Sequence, residues 1–420
     1  MRDFSRYFLM KPADAADFAR ERLRFFPPGA VLEPSEIGDG NLNYIFRVRE
    51  PRTGKSLVIK QAGGTARLSD QFKVSPDRNR IEFDILTIEN ELAPGLVPLV
   101  HGYDPVMNCC AMEDLSDHTI MRAALLQRRT FPLFAEHITT FMANTLLLTS
   151  DVVMDHKKKK EVVKNFINPD LCEITEDLVY TEPFNDVKRR NDPFPPNLDF
   201  IRRELYEDKE MLLEAAKMKF DFFCNAQCLV HGDLHTGSIF VREDSTKIID
   251  PEFAYYGPAG YDVGNVIANL IFAWANADTV MEASAGRGKF TGWLERTIDE
   301  VMNLFVQKWK KLWAEKVTEI VARYDGFAEW YLDGILRDTA GVVGLELCRR
   351  IVGIAHVKDM TSILEPAMRL RAERLCLTAA KRYIKERERI RTGRDYLQIM
   401  NGAAAAFPRT AGEAEVTKRE

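Results

Sequence analysis

Two carboxylates stand at the ends of short apolar runs in the second half of the chain. The first, Asp233, lies in Leu229-Val230-His231-Gly232-Asp233-Leu234-His235-Thr236-Gly237-Ser238. The second, Asp250, follows seventeen positions later in Ile248-Ile249-Asp250-Pro251-Glu252. Each run reads as a buried strand that delivers an acid to its end. This arrangement suits phosphoryl transfer, in which one carboxylate handles the attacking hydroxyl and another holds the metal ion on the phosphate donor. The transferred group needs positioning and charge neutralisation more than covalent help, so few residues must carry the chemistry. Asp and Gly are also ordinary turn residues where strands end. Two such segments in register weigh toward function.

Within these segments Asp233 is the candidate base, accepting the hydroxyl proton late or orienting the nucleophile. His231 reads as a ring bonded to backbone that holds the loop, and His235 is open between a structural and a chemical role. Ser238 stands where a protein kinase keeps an asparagine as metal ligand, and a serine hydroxyl is a poor ligand for a hard cation. Glu252 supplies what Ser238 lacks, since carboxylates suit Mg²⁺ better than a neutral amide. The metal candidates are therefore Asp250 and Glu252, with Ser238 a further one. Asp262, in Tyr261-Asp262-Val263-Gly264, is expected to accept hydrogen bonds from the catalytic-loop backbone.

The elements that position these groups lie to either side. Tyr44–Val48 and Ser56–Lys60 are β-rich runs joined by Pro51-Arg52-Thr53-Gly54, a hairpin pattern. Before them, Ile37-Gly38-Asp39-Gly40-Asn41-Leu42-Asn43 places two glycines where backbone can approach a polyphosphate, with Asn43 in the place of a third. Lys60 ends the following strand, where an ammonium can reach the α- and β-phosphates. Residues 80–89 carry apolar side chains at 81, 85 and 88, a helical period. On that helix Glu82, Asp84 and Glu89 compete to pair with Lys60, and Glu82 is favoured. Strands are expected over 97–103 and 109–112. Glu113, Asp114 and Leu115 then form a hinge whose backbone can bond adenine.

From Leu115 onward helical patterns dominate, at 131–148, 201–224, 292–313, 330–354 and 369–389, interrupted by a β pair around 238–250. A helix is also expected over 13–25. The run His156–Lys160 is read as a solvated face or loop, Pro193–Pro196 as a surface loop, and Ala403 onward as a frayed tail. The expected fold is thus α+β and two-lobed. Residues 1–112 form a small, mostly antiparallel β lobe, 113–116 the hinge, 117–400 a mainly helical lobe, and 401–420 a flexible tail.

Composition narrows the partners. The 420 residues are 46% hydrophobic and 29% charged, with a net charge of −5. That is ordinary globular composition, with no basic excess to suggest nucleic acid or an anionic membrane surface. Seven cysteines without metal-ligand spacing read as reduced thiols. The opening Met1–Arg6 lacks the apolar core of a secretory signal, and the apolar run Val266–Ala275, broken by Asn269, falls short of a membrane span. A soluble, cytoplasmic protein is expected.

The order of parts resembles the kinases of aminoglycoside-phosphotransferase and choline-kinase type, with the protein-kinase-like two-lobed fold. Within them it is most similar to the methylthioribose kinases. The resemblance rests on Glu36–Asn43, Lys60-Gln61-Ala62, Met112–Ser116, Asn168–Glu176, His231–Phe240, Asp250–Ala254 and Gly344–Arg350, and it covers about residues 36 to 360. It implies transfer of the γ-phosphoryl of ATP, with Mg²⁺, to the 1-hydroxyl of 5-methylthioribose in methionine salvage, by a homodimer. It also implies that Arg349 and Arg350, with Asp233, meet the sugar. Adjacent helical positions point about 100° apart, so one guanidinium is expected to face the sugar while the other braces it, for example against Glu346. Two alternatives stand beside this reading. One is a related kinase acting on another sugar, choline or an aminoglycoside, although paired arginines disfavour a polycation. The other is a nucleotide-binding pseudoenzyme, which Lys60, Asp233, Asp250 and Glu252 count against.

Overall fold

A computed structural model of the chain describes residues 3–37, 43–63 and 75–409. The N-terminal lobe is built on five strands, β1 (Glu33–Glu36), β2 (Asn43–Arg49), β3 (Ser56–Ala62), β4 (Val100–Asp104) and β5 (Cys109–Glu113). They form one antiparallel sheet in the order β1-β2-β3-β5-β4. Alternation explains the register: Phe46 lies opposite Ile59 and Val48 opposite Leu57, so their side chains share one face. That face packs on Phe18, Met107 and Phe4, and the helix Pro12–Glu21 closes it from outside.

The helix Arg78–Leu92 joins the lobes. Its Ile81 and Ile85 form a small core with Leu229 on one side of the Asp233 loop and with Ala254 and Tyr256 beyond the Asp250 loop. A pair of strands and a three-stranded sheet carry those loops. Cys228–Val230 pairs with Tyr255–Gly257, and Ile239–Arg242 pairs with Thr119–Ile120 on one side and Ser245–Ile248 on the other. Asp233 and Asp250 thus leave neighbouring strand ends, as the sequence pattern implies.

The C-terminal lobe is helical and centred on Gly260–Val280, which is buried along almost its whole length. It packs against Phe327–Val352, Ala285–Lys316 and Pro366–Lys385. Asn269 therefore interrupts not a membrane span but a core helix, and among the described residues no helix is long and apolar enough to cross a membrane. Approach to Phe327–Val352 is close at Gly264, where a Cβ would stand 2.7 Å from Cβ of Val342 and 2.8 Å from the carbonyl oxygen of Thr339.

Three expectations are corrected. The stretch 201–224 is not one helix: Arg202–Tyr206 form a π turn, and Asp208 starts a new helix by accepting the Met211 N–H at 3.0 Å. The lysine run is the helix His156–Asn165, and Lys159 is buried rather than solvated. Its ammonium binds Asp151 and donates to the carbonyls of Ala226 and Gln227 at 2.6 and 2.9 Å. Ala403–Ala406 are not a tail but the end of the helix Gly393–Ala406, with Ala403 in the core. All seven cysteines are unpaired, five of them buried.

Because backbone and a β-branched side chain both block the Gly264 position, Gly264→Ala should lower stability by about 1–3 kcal/mol. A urea midpoint equal to that of the unsubstituted protein would show that the two helices can separate freely.

Candidate active site

Lys60, on β3, lies 2.9 Å from Oε1 of Glu82 on the following helix and also binds the Asp250 carboxylate. Of the three candidate partners Glu82, Asp84 and Glu89, Glu82 is the one that meets it. Burial opposes the ammonium's charge, but Asp250, Glu82 and Glu252 outweigh it and hold its pKa above the ordinary value. The carboxylates feel the converse. Burial, with the neighbouring acids adding to it, pushes Glu82 up to about 7 and raises Glu252, against the pull of Lys60. Oε2 of Glu252 accepts from Asn43 Nδ2 at 3.1 Å and lies 3.5 Å from Nε of Arg78. Asn43, singled out for the glycine-rich turn, thus stands at the start of β2 facing the acids. Gly38, Asp39, Gly40 and Asn41 lie outside the described residues.

Asp250 turns its loop in the left-handed conformation, φ +69°, which an Asp tolerates better than most side chains. Its side chain remains 45% exposed, whereas that of Glu252 is 7% exposed. Asn168, at the start of the helix Pro169–Leu178, donates to the carbonyls of Glu252 and Ala254 at 2.8 and 3.2 Å and so fixes the loop. Two carboxylates at one cleft, more acid than the nearby cations balance, fit a hard divalent ion that keeps its other oxygens from phosphate and water. Among the described residues no group of three or more acids, His or Cys is arranged to hold a metal ion.

The catalytic-loop candidate is held by its own network. Asp262 accepts the backbone N–H groups of His231 and Gly232 at 2.7 and 3.0 Å, as the sequence suggests. His231 lies 2.9 Å by Nε2 from the carbonyl oxygen of Ile249, and its Nδ1 accepts the Asp233 N–H at 3.2 Å. Both nitrogens are used, so His231 ties the two acid-bearing loops together. Gly232 has φ +83°, and a Cβ there would meet the Phe253 carbonyl oxygen at 2.3 Å; only glycine lets the loops touch. Ser238 is buried, with its hydroxyl 3.1 Å from Nδ1 of His235.

The carboxylate of Asp233 faces three bases. Nε2 of His235 is 3.3 Å from Oδ2, while Arg349 and Arg350 place terminal nitrogens 3.7 and 3.6 Å from Oδ1. Burial works against its charge, yet His235, Arg350 and Arg349 hold the acid well below the usual carboxylate range. The expected division of labour between the arginines is not found. Both reach back to Glu346, Arg349 at 3.0 Å and Arg350 at 2.8 Å, and both reach forward to Asp233. Guanidinium side chains are long enough that a 100° difference in direction at Cα does not separate their tips.

Behind them lies a layer absent from the expectations. Nδ2 of Asn269, in the buried central helix, is 3.3 Å from Glu346 Oε1. Its Oδ1 accepts from Arg122 at 2.9 Å and Thr236 at 3.3 Å. Arg122 Nε in turn stands 3.6 Å from Asp359, whose carboxyl burial raises to about 6. Asn269 could have been found, because an amide in the middle of a buried apolar helix must have partners. Arg122 follows a short strand in an unremarkable helical turn and gives no such signal.

Comparison with known proteins decides the family. The profile described as phosphotransferase enzyme family matches residues 190–298. The methylthioribose kinase of Bacillus pumilus is 39% identical over 382 residues, 90% of this chain and 93% of that protein. That of a Geobacillus species is 38% identical, over 87% of this chain and 89% of the relative. The chain belongs to the methylthioribose kinase family. The solved structure of a Plasmodium vivax ethanolamine kinase covers 87% of this chain and 86% of its own, with a TM-score of 0.47 and 14% identity. In this member of the methylthioribose kinase family the remaining predicted positions close the β lobe. Glu113 pairs with Lys247 at 3.0 Å and Asp114 with Arg47 at 3.1 Å, while Leu115 is buried beneath.

The raised pKa of Glu82 has a direction that can be checked. An acid whose folded value lies near 7, above its ordinary 4.5, binds its proton more tightly in the folded state. Its contribution is complete below about pH 4.5 and is lost as pH rises through about 7. The native protein should therefore lose stability relative to the non-titrating Glu82→Gln variant between pH 5 and pH 8, by a few kcal/mol at most. Urea titrations of both across that range measure it, and a pH-independent difference would contradict the assignment.

Proposed function

We propose that the protein transfers the γ-phosphoryl of ATP to the 1-hydroxyl of 5-methylthioribose, giving methylthioribose 1-phosphate in methionine salvage. The observation that carries this is the convergence of Arg349 and Arg350 on Asp233, in a chain nearly two-fifths identical to methylthioribose kinases over nine-tenths of its length. A site so lined repels the polycations that aminoglycoside kinases take and suits a neutral sugar that becomes an anion.

In this reading Lys60, kept in place by Glu82, contacts the α- and β-phosphates. By the family resemblance Gly38, Asp39, Gly40, Asn41 and Asn43 belong to the nucleotide site, and the backbone of Glu113, Asp114 and Leu115 receives the adenine. Asp250 and Glu252 hold Mg²⁺, with Oε1 of Glu252 the oxygen left over from Asn43 and Arg78; Ser238, turned toward His235, is the weaker candidate ligand. The metal ion, when bound, neutralises charge on the β- and γ-phosphates. Asp233 stays ionised at neutral pH, so it orients the sugar hydroxyl and takes its proton only as the new P–O bond forms. The guanidiniums of Arg349 and Arg350 face the charge spread over the equatorial oxygens of the migrating group. The family resemblance supports a cytoplasmic homodimer.

Asp233→Ala should reduce kcat by a factor on the order of 10²–10⁴ while leaving the KM for ATP nearly unchanged. A coupled ADP-release assay measures this, and a near-normal kcat would remove Asp233 from the reaction. The same assay should show turnover with methylthioribose and none with ribose, choline or kanamycin; turnover with one of those alone would reassign the substrate. Glu252→Gln should raise the Mg²⁺ concentration needed for half-maximal rate, and an unchanged metal titration would count against its ligand role.

A further inference from the structure

Asp233 has two oxygens in different surroundings, and the difference lies in His235. Nδ1 of His235 accepts the backbone N–H groups of Gly237 and Ser238 at 3.0 and 3.1 Å, and the Ser238 hydroxyl lies 3.1 Å away. A nitrogen that receives two backbone donors carries no proton of its own, so the ring proton of the neutral imidazole is on Nε2. Nε2 faces Oδ2 of Asp233 at 3.3 Å. The ring is held further from below, because His235 N–H donates to the Asp233 carbonyl at 3.0 Å and the His235 carbonyl accepts from Ser238 at 2.8 Å. Beside it lies Arg122: the point where a Cβ on Gly237 would stand is 2.8 Å from Cε1 of His235 and 3.0 Å from a terminal nitrogen of Arg122.

We infer that His235 is a positioning residue that engages Oδ2 of Asp233 and so leaves Oδ1, between Arg349 and Arg350, as the oxygen that meets the acceptor hydroxyl. This rests on Asp233 being the base of the proposed reaction. His235 does not receive the substrate proton, since its Nε2 already carries a proton aimed at the acid and its Nδ1 is filled by backbone donors. Without the histidine the carboxylate can rotate about Cβ–Cγ, and either oxygen can turn toward the arginines. A misdirected base slows the chemical step without disturbing nucleotide binding.

Two substitutions separate this role from simple bracing of the loop. His235→Gln keeps an N–H near the position of Nε2 and gives up the acceptor at Nδ1. His235→Asn keeps an acceptor near Nδ1 and gives up the donor. At saturating ATP, His235→Asn should lose about tenfold to a hundredfold in kcat with the KM for ATP little changed, whereas His235→Gln should recover most of the rate. The reverse order, or equal losses accompanied by equal falls in thermal midpoint, would reduce His235 to a loop brace. Long-range ¹H–¹⁵N correlation spectra of the unsubstituted protein give a readout independent of the acceptor. The Nε2–H tautomer is expected, and an Nδ1–H tautomer overturns the inference whatever substrate the enzyme uses. Failure of the substrate assignment would show instead as absent turnover of methylthioribose with the Nε2–H tautomer intact.

Discussion

Lys60 holds Glu82, Asp250 and Glu252 in one place that burial alone would disperse. Glu82 and Glu252 sit where desolvation disfavours their charge, and the neighbouring acids make both harder to ionise. A single ammonium between them, with Arg78 behind Glu252, makes the group tolerable but leaves it acid-rich. The residues come from β3, the helix after it and a loop nearly two hundred positions further on, so the same contact that gathers the acids also joins the lobes. A buried ion pair of this kind is weak evidence for stability. Its value here is in specifying a geometry, since Lys60 meets both Glu82 and Asp250 when the loop of Asp250 lies against the β sheet.

The second centre is built with the opposite sign. Around Asp233 and Glu346 the cations dominate, with Arg349, Arg350 and Arg122 close together in a largely dry environment. Glu346 stays ionised there because, against burial, both paired arginines bond to it. Its carboxylate therefore works as a fixed counter-charge that keeps two like-charged guanidiniums on neighbouring residues pointing the same way. Asn269 extends the same logic with a neutral group, bridging Glu346 to Arg122 where another charge would be unaffordable to desolvate.

Much of this arrangement is legible in the chain and some is not, for reasons that differ between elements. Strands such as Tyr44–Val48 and the helix carrying Glu82 announce themselves because one face is buried and the period of apolar residues follows. The two acid-bearing loops are legible because two short apolar runs, each followed by an Asp, stand close together in the chain. Lys159 is not legible: a lysine inside a run of lysines looks solvated, and only the tertiary fold brings the carbonyls of Ala226 and Gln227 to its ammonium. The alanines at 403–406 look like a tail because they have no polar face to pattern, yet a helix packed by Ala403 needs none. The double engagement of Arg349 and Arg350 was hidden by an argument from Cα direction, which long side chains escape.

Separation of the two charged centres bears on how such a fold can exchange one acceptor for another. The acid cluster around Lys60 draws on the β lobe and the Asp250 loop. The cationic cluster draws on Met121–Leu126, Gly260–Val280 and Phe327–Val352, elements of the helical lobe alone. Changing residues on those helices alters what faces Asp233 without touching Lys60 or Glu252. The joint between the centres is narrow: His231 spans from the Asp233 loop to the Ile249 carbonyl, and Gly232 lets Phe253 approach at backbone distance. The two loops are therefore tied together by one histidine and one glycine, the first through its ring and the second through the side chain it lacks.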